Sequence, residues 1–301
     1  AFLPLIARRK RWSWLRAHTG VQLFLLGAVK KYAIADRMAA YVDPVFADPA
    51  VFATFTLVLA AVAYTIQLYC DFSGYSDMAL GLAHLFGYHL AINFNMPFLA
   101  PNVSEFWRRW HISLSSWIRD YVFIPLGGSA GSRLLTYRNL LVTFTLCGLW
   151  HGAGWNYVAF GFVTGIFLVI HAMFREWCKS YPALQAMLLT RAGTCLRIAV
   201  TFSCFCLSTI VFRCQDLSLA GTMLRRIALP VDGAGFAVET KWLFITFGVV
   251  LAGHVLGQGN RGVSWWESLP SPIRGVGYGL GVAAALVLAP GASVAFIYFQ
   301  F

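Results

Sequence analysis

Charge is scarce in this sequence. Asp, Glu, Lys and Arg make up only 12% of its 301 residues, whereas a soluble globular chain carries them at roughly a quarter of its positions. The deficit excludes a water-facing surface over most of the chain and makes the bilayer the first reading. Acids are the scarcer sign, 12 against 23 Lys and Arg, for a net charge of +11. The basic residues stand in short clusters between apolar runs rather than along one soluble face. They therefore suit cytoplasmic loops and anionic lipid head groups, and no nucleic-acid partner is expected. No CxxC pair is present, so the seven cysteines, Cys70, Cys147, Cys178, Cys195, Cys204, Cys206 and Cys214, read as buried membrane residues, neither disulfides nor metal ligands. There is no GxSxG elbow, Walker phosphate loop, HExxH zinc pair or strand-borne GxGxxG, which excludes the hydrolases, nucleotide enzymes and dehydrogenases built on them. No internal repeat, low-complexity tract or soluble domain is visible.

What is abundant is apolar and aromatic surface: 59% hydrophobic residues and 16% aromatic, with 11 Trp. Arg8, Arg9, Lys10, Arg11 and Arg16, interleaved with Trp12 and Trp14, suit an interfacial segment on anionic lipid. Val21 to Tyr41, interrupted by Lys30, Lys31, Asp36 and Arg37, reads as a short or re-entrant helix. Val51 to Tyr69 carries no charge and is long enough, at about 1.5 Å per residue, to cross a hydrocarbon core of roughly 30 Å. Further candidate spans are Leu135 to Trp150, Tyr157 to Phe174, Ile198 to Phe212, Trp242 to Leu256 and Val276 to Tyr298, the last broken by Pro290 and Gly291. Several are shorter than a full crossing, so their ends must be wet or covered by protein. The expected fold class is an all-α polytopic membrane protein, one membrane-embedded domain over residues 1–301. The Arg175 to Arg197 connection carries Arg175, Lys179, Arg191 and Arg197 against Glu176, which places it in the cytoplasm by the positive-inside rule. The turn at Trp150 to Trp155 then opens toward the other side or into the membrane interior. The chain begins with Ala1, and Ala1 to Ile6 is too short for the apolar part of a signal peptide, so sequence upstream is expected.

Between Cys70 and Tyr137 no clean span stands out, and the region is rich in Asp, Arg, His, Asn and Pro. Glu105 to Tyr121 reads as largely helical. At about 100° per residue Trp107, Trp110, Leu114, Trp117 and Tyr121 share an apolar stripe, Arg108, Ser115 and Arg119 a polar one, and His111 falls on the boundary. Glu105 is within ion-pair reach of Arg108 and Arg109. Such a helix either lines a cavity, because charge in hydrocarbon is costly, or lies at the interface with its aromatics in lipid and its arginines on phosphates. A second signal is Leu149-Trp-His-Gly-Ala-Gly-Trp155, with His151 at the break between two apolar segments and Gly152 and Gly154 allowing a tight turn. A neutral imidazole with an ordinary pKa of about 6.5 can take a proton from an attacking alcohol, which makes His151 a candidate general base. A hydrogen-bonded structural histidine at a helix end is the alternative. Third, Asp71 and Asp77 could be paired carboxylates or cation ligands. With no third acid at a suitable spacing, bonding to nearby arginines or helix caps is preferred. Asn93, Asn95, Pro97 and Pro101 mark an irregular stretch that must be protein-covered or cavity-lining. His111 and His151 lack obvious further ligands, so no metal site is expected.

Read in order, Asp71-Phe-Ser-Gly-Tyr-Ser-Asp-Met78, Asn93-Phe-Asn-Met-Pro97, Glu105 to Trp117, Arg119-Asp-Tyr121, Pro125-Leu-Gly-Gly128, Tyr137-Arg-Asn139 and Trp150-His-Gly152 resemble the membrane-bound O-acyltransferases. The nearest branch is the bacterial alginate O-acetyltransferase type, with relatives in cellulose acetylation and teichoic-acid D-alanylation. The resemblance runs from about Gln22 to Phe301, where Phe296-Ile-Tyr-Phe-Gln-Phe301 also fits. It implies that His151 matches the family's catalytic histidine and His111 a second important histidine in the same cavity. It further implies membrane helices ringing a thin, polar centre with short re-entrant and interfacial helices, and an additional helical block ahead of Ala1. Candidate substrate- or donor-binding residues are then Arg108, Arg109, Arg119, Asp71, Asp77, Asn139 and Trp150.

The function expected is acyl transfer, acetyl foremost, to an exported polysaccharide of alginate or cellulose type, directly or through a relay protein. The implied donor is acetyl-CoA or another acyl thioester, with no bound cofactor. The implied partners are membrane lipid and an extracytoplasmic acetyltransferase, in a bacterial inner membrane. Two other readings remain open on residues alone: a transporter or channel, because intramembrane Arg, His and Asp also mark substrate pathways, and an inactive relative retained as a scaffold. The ordered motifs favour the enzyme.

Overall fold

The computed structural model describes residues 10–289 and 296–297. Among these, every regular element is helical, and one isolated bridge joins Phe52 to Ala234. Helix α1 (Trp14–Ala28) starts at Ser13 and runs without a break through a π-helical turn (Val29–Ala35) into α2 (Asp36–Ala47). The short or re-entrant helix expected over Val21 to Tyr41 is therefore the middle of a longer rod. Helix α3 (Thr54–Leu85) follows, 32 residues long. Next come two short helices of about two turns each, α4 (Val103–Arg109) and α5 (Ile112–Ile118), and a second π turn, Arg119–Phe123. The remainder is α6 (Arg133–His151), α7 (Trp155–Cys178), α8 (Pro182–Leu189), α9 (Arg191–Arg213), α10 (Leu217–Ala228), α11 (Lys241–Gly257), α12 (Arg261–Ser268) and α13 (Ser271–Val287). Side-chain caps start many of them: Asn102 bonds the Glu105 N–H, Ser132 that of Leu135, Thr190 that of Gly193 and Asp216 that of Leu219.

Helices α3, α7 and α9 are long and apolar enough to cross a membrane. The expected Val51 to Tyr69 span is only the first part of α3, and the Asp71 to Met78 motif lies inside that helix rather than after it. The reason is burial. In α3, 83% of the apolar window is covered by protein, against 28% in α7, so polar side chains on α3 meet partners instead of lipid. The expected spans at Leu135, Tyr157, Ile198 and Trp242 fall within α6, α7, α9 and α11; the expected span from Val276 to Tyr298 coincides with α13 as far as Val287, and Pro290, Gly291 and Tyr298 lie outside the described residues.

Two contact units divide the chain. The first takes residues up to Ala39, Ile66–Asn93 and those from Gly259 on. Its spine is an antiparallel glycine seam: Gly20 lies on the Gly81 carbonyl and Gly74 on the Gly27 carbonyl, where an added Cβ would sit 2.7 Å from either oxygen. Only hydrogen at these positions lets α1 and α3 touch along their backbones. The second unit takes Ala40–Thr65 and Phe94–Gln258. There α6 and α7 meet through Gly148 and Gly161, each facing backbone of the other helix. The Thr65 hydroxyl joins α3 to α9 at Thr209, 3.0 Å away, and the Arg226 guanidinium donates to the Phe52 carbonyl at 2.9 Å. Five cysteines are buried as expected, but Cys195 is exposed and Cys204 half-buried, near the start and middle of α9.

Candidate functional site

The continuous helix expected over Glu105 to Tyr121 is broken at its centre. Trp110 is extended (φ −108°, ψ 128°), and His111 is left-handed (φ 43°, ψ 55°), a conformation that costs a non-glycine residue about 1 kcal/mol or more. Ser115 holds the break, donating its N–H to the His111 carbonyl at 2.9 Å and its hydroxyl to the Trp110 carbonyl at 3.1 Å. The helical register restarts after His111, so the expected stripe divides. Trp110 is buried among Phe94, Phe106 and Phe205, while Trp117 and Tyr121 stack on each other and are exposed.

His151 is the last residue of α6. Gly152 follows with its α-carbon against the Tyr157 ring, where a Cβ would stand 2.6 Å away, and the chain turns at once into α7. The His151 imidazole is walled by aromatic rings: Trp150 at 4.9 Å, Phe212 at 5.2 Å and Phe160 at 6.0 Å between centroids. The Trp150 indole also faces His111, at 6.3 Å, so it contacts both imidazoles. Buried Asn156 donates to the Phe212 and Cys214 carbonyls at 3.4 and 3.2 Å, tying the start of α7 to the end of α9 and fixing Phe212 against His151. Burial, and after it the neighbouring His151, lower the His111 pKa to about 4, which keeps that ring neutral at ordinary pH.

The other candidates make polar contacts of their own. Arg109 and Arg108 pair with Glu105 at 3.0 and 3.3 Å, and Arg108 is 73% exposed. Exposed Arg119 pairs with Asp120. Asn139 is buried, its amide donating to the Gly128 carbonyl at 3.0 Å and its oxygen accepting from Arg138, so it braces the Pro125 to Gly128 loop. Asp71 and Asp77 belong to the first unit and pair with Lys31 at 2.8 Å and Lys30 at 2.6 Å, lysines in place of the expected arginines. Phe160, Phe212, Tyr157 and Asn156 are not among the site residues expected from the sequence. Aromatic residues inside apolar runs carry no mark that separates a site wall from a lipid face; a lone Asn at the head of a span was the one available signal.

A family model described as membrane-bound O-acyltransferase matches residues 9–213, which include both histidines. The chain belongs to the membrane-bound O-acyltransferase family. Among related O-acyltransferases, it is 43% identical over 216 residues to the probable alginate O-acetylase AlgI of Pseudomonas aeruginosa, covering 69% of this chain and 39% of that protein. It is 36% identical over 206 residues to the peptidoglycan O-acetyltransferase of Helicobacter pylori, covering 68% and 38%. With the teichoic acid D-alanyltransferase of Bacillus subtilis it shares 30% identity over 204 residues, 65% of this chain and 50% of that one. The chain thus spans between 38% and 50% of the length of these relatives.

Proposed function

We propose that this chain carries the catalytic histidine of an O-acyltransferase that moves an acetyl group from an acyl thioester to a hydroxyl, on an exported polysaccharide or on a relay protein that serves one. The observation that carries the proposal is the meeting of His111, Trp150 and His151 at the glycine break after α6, inside a family of acyltransferases. Neutral His151 takes the proton of the attacking hydroxyl as its oxygen bonds the thioester carbonyl carbon. The carbon–sulfur bond then breaks, and the thiolate leaves with that proton, so the base is restored. His111, neutral and held in place by its strained backbone, faces the charge that develops on the carbonyl oxygen. Exposed Arg108 and Arg119 offer guanidinium groups to the phosphates of a coenzyme A or phosphopantetheine donor, and Arg109 stays with Glu105. Asp71 and Asp77 enter as partners of lysines, and Asn139 as the brace of a loop. The acetyl group and the polysaccharide follow the names of the acetylase relatives; an extracytoplasmic acetyltransferase partner and a bacterial inner membrane belong to the same proposal.

The test is transfer of label from acetyl-CoA in membranes holding the protein with any segment its gene encodes on either side, beside His151→Ala at matched level. Label that falls at least a hundredfold in the variant supports the mechanism. Unchanged transfer by a folded His151→Ala protein sinks it.

A further inference from the structure

The first unit contains a buried charge cluster that the acyl-transfer reading does not use. Lys31 reaches Asp36 at 2.7 Å and Asp71 at 2.8 Å, and the side chains of the three are only 2%, 3% and 2% exposed. The π turn makes this possible. Residues five apart on an α-helix point about 140° away from each other, whereas the wider π turn swings Lys31 and Asp36 onto one side. Beside them Lys30 pairs with Asp77 at 2.6 Å. Two lysines therefore face three carboxyl groups. Of the other groups on these elements, Tyr69 and Cys70 are uncharged in their ordinary forms at neutral pH, and Arg37 bonds the Leu288 carbonyl at an exposed position. From Gly275 to Phe301 the sequence holds no Lys or Arg, so nothing there supplies another cation.

A net buried negative charge is far costlier than a neutral carboxyl group. The oxygens identify which acid is neutral. Asp71 uses both of its oxygens as acceptors, Oδ1 for Lys31 and Oδ2 for the Ile297 N–H at 2.9 Å, as an ionised carboxylate does. Asp36 uses Oδ1 for Lys31, while its buried Oδ2 makes no hydrogen bond among the described residues. We propose that Asp36 binds a proton in the folded protein, making the Lys30, Lys31, Asp36, Asp71, Asp77 cluster neutral. A metal cation does not fit the same place, because it needs several oxygen ligands and only one oxygen is spare. The proton leaves Lys31 committed to Asp71, and that pair in turn holds the backbone at Ile297 and the Phe296 ring, which lies 4.7 Å from the Lys31 ammonium.

The experiment is an infrared spectrum of the purified protein in lipid nanodiscs at neutral pH, read at the carbonyl stretch of a protonated carboxylic acid. The expected result is a band in the wild type that is lost in Asp36→Asn and kept in Asp43→Asn, an acid outside the cluster that pairs with Arg213, with Asp36→Asn melting no lower than the wild type. A wild-type spectrum without the band overturns the proposal and requires no variant to fold. A band that survives Asp36→Asn, or a variant that melts well below the wild type, overturns it equally.

Discussion

His111 combines two things that rarely coincide, a bulky side chain and a positive φ of 43°. Its backbone alone would favour glycine, so the imidazole is retained against a local cost. The two contributions separate by substitution. His111→Ala keeps the strain and removes the ring; His111→Gly removes both. His111→Gly is expected to melt higher than His111→Ala, by the equivalent of about 1 kcal/mol, while both lose acyl transfer to a similar extent. Thermal melting of the two purified variants, with activity measured in parallel, checks this. Equal melting would mean that the left-handed turn is not strained, and full activity in either would remove His111 from the mechanism.

At the scale of elements, the glycine contacts decide which helices can approach. Gly148 faces the Tyr157 carbonyl of α7, whereas Gly248 on α11 has open space around it. Gly148→Ala is therefore expected to force α6 and α7 apart and lower the melting temperature. Gly248→Ala should be neutral or stabilising by up to about 1 kcal/mol, since alanine is the better helix former. Melting curves of the pair decide it, and a harmless Gly148→Ala would contradict the close packing. These elements also show what could be read in advance. Long apolar runs located α6, α7, α9 and α11, because hydropathy reports lipid-facing length directly. The Trp-His-Gly motif located the break beside His151. The reach of α3 past Tyr69 and the interruption at His111 stayed hidden, since protein cover lets a buried helix carry Asp71 and Asp77, and a kink set by tertiary packing leaves hydropathy unchanged. The seven-residue spacing of Gly20 and Gly27 against Gly74 and Gly81 was present in the sequence, but its meaning depends on which helices become neighbours.

For the whole molecule, the exposed Cys195 near the basic Arg175 to Arg197 connection offers a reporter of orientation. A membrane-impermeant thiol reagent is expected to label it from the cytoplasmic face, as the positive-inside rule proposes, while Cys70, Cys147 and Cys206 react only after denaturation. Labelling of Cys195 from the opposite face alone would reverse the orientation. The division of the chain also bears on how the protein is made. The first unit is assembled from three stretches widely separated in sequence, and its third begins only at Gly259. Helix α1 can meet α3 early along their glycine seam, but Asp71 cannot receive its bond from Ile297 until that residue has left the ribosome. During synthesis the Lys31 and Asp71 pair must therefore wait in the membrane with its final partner missing. That interval is when an insertion chaperone would have most to protect, and a ribosome stalled before Gly259 would leave a nascent chain with its second unit able to pack and its first still open.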